Sequence, residues 1–224
     1  MFKAIFWDND GILVDTEHLY YQASREALEQ VGVQLSLADF VTLTLDLGQS
    51  PLVLAEQQGI AAAEIEKLRH FKNHRYGELL QSGAEPMSGA LETLAALHGI
   101  MTMAIVTSSR KDHFDLIHQN NGMLSYFDFI LTREDYRRSK PDPEPYLKAL
   151  AISGLRPEEC LVIEDTQRGL QAARSAGLRC IVIPNRLAPH NTFPDAFCIL
   201  PDLGRVREFL LQQDLPNASG GLSV

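Results

Sequence analysis

The chain has 224 residues, 45% of them hydrophobic and 22% charged, with a formal net charge of −9. That is enough chain for one large domain or a domain carrying an insertion. The acidic balance and the lack of a basic stripe exclude a general nucleic-acid binder, which must neutralise many phosphates, but not a small phosphorylated ligand, which needs one or two placed cations.

The first residues, MFKAIFWDND, lack the basic, apolar and small-residue regions of a secretory signal, and no apolar run reaches membrane-spanning length. The expected compartment is the cytoplasm, and a monomer is expected. Lys3 to Trp7 reads as a buried strand, with Asp8, Asp10 and Gly11 at its end. Acids there are costly unless something compensates. From residue 16 to 83 the patterns are helical. LYYQASREALEQVG sets Leu19, Ala23, Ala27 and Val31 four apart and closes on Gly32, and AAAEIEKLRHFKNHRYGELL is a second long pattern. On it His70 and His74 lie four apart without a third ligand, and Arg69, Lys72 and Arg75 read as a solvated face.

After SGAEPMSG, strands and helices alternate. The strands are Met101 to Thr107, Phe127 to Thr132, Cys160 to Glu164, Cys180 to Pro184 and, more weakly, Ala196 to Leu200. GALETLAALHG, EPYLKALAISG and RGLQAARSAG are the intervening helices. The alternation predicts an α/β fold, a doubly wound parallel sheet in a Rossmann-like core of residues 1–15 and 84–215. An α-helical cap of residues 16–83 is inserted after the first strand. Residues 216–224 read as a frayed tail. Cys160, Cys180 and Cys198 are dispersed in apolar surroundings without metal spacing, and read as buried structural residues.

Four polar sites fall at predicted strand ends, the edge of an open α/β sheet where ligands bind. They are Asp8/Asp10; TSSR, Thr107 to Arg110; SKPDPEPY with Lys140; and Glu164/Asp165. The acids repel one another without a cation between them, and hard carboxylate oxygens suit Mg²⁺. Ser108 and Ser109, at a predicted helix start, offer hydroxyls and backbone N–H groups to an anion, and Lys140 adds a compact positive charge. Such a site neutralises a phosphoryl group and places it in line with a carboxylate, which can itself be the nucleophile.

DNDGILVDTE, VTSS, KPDPEPY and EDTQRGLQAARSAG together resemble the four motifs of the haloacid dehalogenase superfamily, in order and over nearly the whole chain. The helical insertion resembles that of its C1-capped subclass. By position, Asp8 resembles the nucleophile, Asp10 the general acid/base, Ser108 the phosphate-binding hydroxyl and Lys140 the stabilising lysine. Asp165 resembles a direct magnesium ligand beside Asp8 and the Asp10 carbonyl, with Glu164 in support. Ser109 and Thr107 join the phosphate-binding set. Halide-displacing members lack an acid at the position of Asp10, so its presence favours phosphotransfer. Ile12 stands where many members have threonine, and Asn9 occupies a freely variable position.

The resemblance implies a Mg²⁺-dependent phosphatase acting on a small phosphorylated metabolite, a sugar phosphate by expectation, with neither nucleic acid nor membrane as partner. Two rivals stand beside it. One is a phosphomutase of the β-phosphoglucomutase type, in which a histidine is expected where Tyr20 stands and basic residues around the cap-loop glycine, here DLGQSP. The other is a non-catalytic phosphometabolite sensor, which has no need of Asp10. Substrate contacts from the cap are expected at Tyr20 or Tyr21 and at Gln49 or Ser50 beside Gly48.

Overall fold

The computed structural model describes residues 1–188 and 191–212. The frayed-tail reading of residues 216–224 lies outside the described residues. Six strands form one parallel sheet: β1 (Ala4–Trp7), β4 (Thr102–Val106), β5 (Phe129–Leu131), β6 (Cys160–Glu164), β7 (Arg179–Val182) and β8 (Cys198–Ile199), in the order β5-β4-β1-β6-β7-β8. β1 lies at the centre, pairing Trp7 with Ile105 on one side and with Ile163 on the other. The three central strands therefore end level, and every residue just past those ends faces one edge.

The strands are buried on both faces, as parallel strands must be when helices cover them. Ile5, Trp7, Met103, Ile105, Leu161 and Ile163 face one apolar cluster, which also takes residues of α5 (Ala90–Leu97), α6 (Lys111–His118) and α9 (Leu203–Gln212). The alternate residues Ala4, Phe6, Ala104, Val106, Cys160 and Val162 face a second, covered by α7 (Glu144–Ser153) and α8 (Gln167–Ser175). Cys160 and Cys180 are buried, whereas Cys198 is half-exposed on the edge strand, contrary to the sequence reading.

Between β1 and β4 the chain makes α1 (Glu17–Glu29), α2 (Leu37–Phe40), a π-helical turn at Val41–Asp46, α3 (Val53–Gln57) and α4 (Ala62–Gln81). α1 stops at Glu29, and Gly32 supplies the positive φ of the turn that follows. Ala27, Leu28, Phe40, Leu52, Ile65 and Leu68 form a cluster of their own. Leu19, Ala23, Tyr76 and Leu80, at the sheet-proximal ends of α1 and α4, join the first sheet cluster instead. Two short strands, β2 (Val14–Asp15) and β3 (Glu85–Pro86), pair antiparallel where the chain leaves for these helices and returns. The sequence patterns alone suggested linkers there.

Candidate active site

Asp8 follows β1 directly, and its N–H still donates to the Ile163 carbonyl, so the ladder fixes its backbone. Its Oδ1 accepts from Lys140 Nζ at 2.9 Å. The same ammonium lies 2.7 Å from Glu164 Oε1 and donates to the Val106 carbonyl at 2.8 Å. Tyr146 OH donates to Glu164 Oε1 at 2.6 Å. Lys140 is 4% exposed, and its three donors meet three acceptors, one just past β1 and one at the end of each of β4 and β6. The paired acids hold its pKa above the usual lysine range despite burial, which opposes the charge.

Asp10 is held by hydroxyls. Oδ1 accepts from Thr16 at 2.5 Å, and Oδ2 accepts from Ser109 at 2.5 Å and from Thr107 at 3.3 Å. Ser109 N–H is also engaged, donating to Thr107 Oγ1 at 3.0 Å. α6 begins only at Lys111, whose N–H donates to Glu134. The helix start thus lies past the serine pair, and the hydroxyls of Thr107 and Ser109 turn to Asp10. Ser108 differs: its Oγ is buried with no hydrogen-bond partner in the protein.

Asp8, Glu164 and Asp165 each offer an oxygen within 4.8 Å of the others. Asp165 Oδ1 is buried and unpartnered, while Oδ2 accepts from Asn185 at 2.5 Å. Asn185 also donates to Glu17, tying the first residue of α1 to this cluster. A Cβ on Gly11 would fall 2.1 Å from Asp165 Oδ2, and Gly11 has φ +77. Only glycine lets that turn approach so closely. Burial raises Asp8 to about 7, helped by the negative charges of Glu164 and Asp10 and opposed by Lys140. Burial likewise pushes Asp165 far up, with Glu17, Asp8 and Glu164 adding to it. Crowded acids and an orphaned buried oxygen are a donor set that suits a hard divalent cation.

A cavity of about 580 Å³ opens over these groups, roofed by α1, α4 and the loop around Gly48. Asp8, Asp10, Thr107, Ser108, Ser109, Lys140 and Asp165 line its floor, and Tyr20, Gln49 and Ser50 line its roof. Glu164 is fully buried behind the floor. Tyr21 is turned to the Leu35 carbonyl and packs on Phe40. Gly48, at φ +65, lies against Arg168 of α8, where a Cβ would come within 2.8 Å of the guanidinium. His70 and His74 are exposed and sit beside Glu66 and Glu78 of their own helix.

Two readings of the sequence need correction. Asn9 is not a free position: it is fully buried, and its Oδ1 accepts from His118 Nε2 at 2.8 Å. Lys72 is not on a solvated face: it is 5% exposed and lines the cavity. The signal for Lys72 was present. Ile65, Leu68, Lys72, Tyr76 and Leu80 are the buried stripe of α4, and the lysine occupies an apolar position in it.

The model of the haloacid dehalogenase-like hydrolases matches residues 5–183, and the chain belongs to that family. The CbbY protein of Cupriavidus necator is 30% identical to it, over 97% of this chain and 91% of that one. The fructose-1-phosphate phosphatase YqaB of Escherichia coli is 27% identical over 80% of this chain and 95% of its own. Among solved structures, CbbY of Rhodobacter sphaeroides in complex with phosphate superposes with a TM-score of 0.79 at 25% identity, covering 92% of this chain and 96% of that one.

Proposed function

We propose that this protein is a Mg²⁺-dependent phosphatase that hydrolyses a small phosphorylated metabolite of sugar-phosphate size through an aspartyl-phosphate on Asp8. The coarse class is set: the chain is a phosphoric monoester hydrolase of this family, with phosphatases among its named relatives. The finer reading rests on one observation. A nucleophile candidate, a hydroxyl-bound second acid, an orphaned hydroxyl and a buried lysine converge at the ends of three adjacent strands.

Each group has a task. Lys140 fixes the Asp8 carboxylate and neutralises charge on the phosphoryl oxygens. Ser108 Oγ, free of protein partners, donates to one of those oxygens. Asp8 attacks the phosphorus, and Asp10 gives a proton to the leaving oxygen, then takes one from the water that releases phosphate. Thr16, Thr107 and Ser109 suit both states of Asp10, because a hydroxyl donates to the carboxylate and can rotate to accept from the acid. Asp8, Asp165 and the Asp10 carbonyl, with Glu164 behind them, would hold Mg²⁺, whose charge stabilises the transferring phosphoryl group.

Helices α1 to α4 act as the cap in this reading, excluding bulk water and presenting Tyr20 and Gln49 to the leaving group. A cytoplasmic location is part of the same proposal. Among the described residues no helix is long and apolar enough to cross a membrane. Phosphate release from an aryl phosphate and a metabolite panel tests the reading. Activity should require Mg²⁺ and vanish with a chelator. Asp8→Asn should lose about 10⁴-fold or more, as removal of a nucleophile does elsewhere. Turnover in metal-free buffer, or a loss within about tenfold, a barrier change of about 1.4 kcal/mol, would refute it.

A further inference from the structure

α4 carries several cations, and most are paired. Lys67 meets Glu64, Arg69 meets Glu66, and Arg75 meets Glu26 and Glu78. Lys72 is the exception. Its Nζ donates to Tyr20 OH at 2.6 Å and lies 4.6 Å from the centre of that ring, and among the described residues no carboxylate comes within ion-pair distance. Tyr20 is itself wedged between Tyr76 and Phe40, with ring centres 5.1 and 6.1 Å away, so the ammonium is held in one place. An ammonium has three donors, and a phenol oxygen is one neutral acceptor.

Burying a charge without a counter-charge costs several kcal/mol unless something else answers it. The fold offers no answer: the residues one turn away on the same helix are Leu68, Arg69, Arg75 and Tyr76, and Glu66 and Glu78 are engaged by Arg69 and Arg75. The cavity does. Lys72 lines it from the roof, as does Arg69. From the core side so does Arg168, whose Nε is buried without a partner. The floor carries the acids. The cavity is therefore polarised, with the phosphoryl-transfer groups at one pole and an underused ammonium at the other.

We propose that Lys72 anchors a second anionic group of the substrate, at the end remote from the scissile phosphate. The preferred substrate is then a small phosphate monoester carrying a carboxylate or a second phosphate, not one with a neutral tail. This rests on the phosphatase reading above and narrows its substrate class.

The test uses matched pairs with the full chain and Mg²⁺. Glycerol 3-phosphate against 3-phosphoglycerate isolates a carboxylate, and fructose 6-phosphate against fructose 1,6-bisphosphate isolates a second phosphate. Wild type should favour the acid-tailed member of at least one pair by about tenfold or more in kcat/KM. Lys72→Met should erase that ratio, and Lys72→Arg should keep most of it. The pair that responds names the anion. No preference in wild type, or equal losses on both members with Lys72→Met, overturns the proposal. Calorimetric titration of the same ligands into Asp8→Asn, with and without Lys72→Met, reads binding without turnover. If no ester is hydrolysed by wild type, the phosphatase reading fails. The titration still decides the Lys72 proposal, since unchanged affinity for acid-tailed ligands overturns it.

Discussion

Two lysines face the same cavity and are equally buried, 4% exposed at Lys140 and 5% at Lys72. Their surroundings are opposite. Lys140 stands at the meeting point of three strands and spends its donors on Asp8, Glu164 and a backbone carbonyl. Lys72 stands in the apolar stripe of a helix and has a phenol. The first is complete within the fold and, in the proposed function, serves a chemistry common to phosphate esters. The second is incomplete within the fold, which is the condition expected of a group whose partner arrives with the ligand. The difference separates what a site needs to cleave from what it needs to choose.

Stability breaks or sharpens that contrast most strongly. Lys140→Met leaves buried acids without their cation and should cost about 3–5 kcal/mol, together with turnover. Lys72→Met removes a buried cation that lacks a counter-charge and should be neutral or stabilising by up to about 2 kcal/mol. Urea unfolding of both variants in metal-free buffer measures the pair. Equal destabilisation would mean that Lys72 is as much a structural residue as Lys140.

The floor can then be divided further. Asp10→Asn should lower turnover of an alkyl phosphate by about 10²–10⁴-fold, the usual range for a general acid or base. The loss should be smaller for nitrophenyl phosphate, whose leaving group needs little protonation. Equal losses, with phosphorylation limiting both, would deny Asp10 the acid role. Gly11→Ala puts a methyl into the space of the Asp165 carboxylate and forces alanine to φ +77. The backbone term is about 1–2 kcal/mol. Displacing Asp165 should raise the Mg²⁺ requirement by about tenfold, the lower end of what disturbing a ligand's support costs. An unchanged Mg²⁺ midpoint would place the metal away from Asp165.

Most of the floor was legible because its residues are punctuation. An apolar run that stops at an acid, or at Thr-Ser-Ser, marks both a strand end and a polar group on the sheet edge. The alternation of such runs gave the parallel sheet. The roof was legible only as helix. Charges at Arg69, Lys72 and Arg75 look alike in sequence, and which of them face the cavity and which is buried is set by packing against α1 and the core. The same holds for Asn185, which reaches Asp165 and Glu17 from distant parts of the chain. His118 under Asn9 is another such case. Local pattern carries no trace of these long-range contacts. The division of Thr107, Ser108 and Ser109 between Asp10 and the open site was equally invisible, since all three are hydroxyl residues in one short run.

The smallest expected effect lies where floor and roof touch. His113, on α6, sends Nε2 to the Asn73 carbonyl of α4 at 3.1 Å and meets Tyr76 edge-on, with ring centres 4.9 Å apart. Burial lowers its pKa. Asp112 and the Asn73 carbonyl oppose the shift, while Arg110 and Lys72 reinforce it. Neutral His113 donates from Nε2 to that carbonyl, so this contact between α4 and α6 needs no charge. In the unfolded chain a histidine titrates near about 6.5, so below that pH the unfolded state binds the proton first. Folding stability should therefore be full above about 6.5 and fall as the pH drops toward the lower folded value. The ceiling is one proton's worth, about 1.4 kcal/mol per pH unit. His113→Gln keeps a donor for Asn73 and removes the titration. The stability difference between wild type and variant should shrink from pH 7.5 to pH 5.5, read by urea unfolding at each pH. A difference that grows on acidification would mean that the charged imidazole, not the neutral one, joins the roof to the floor.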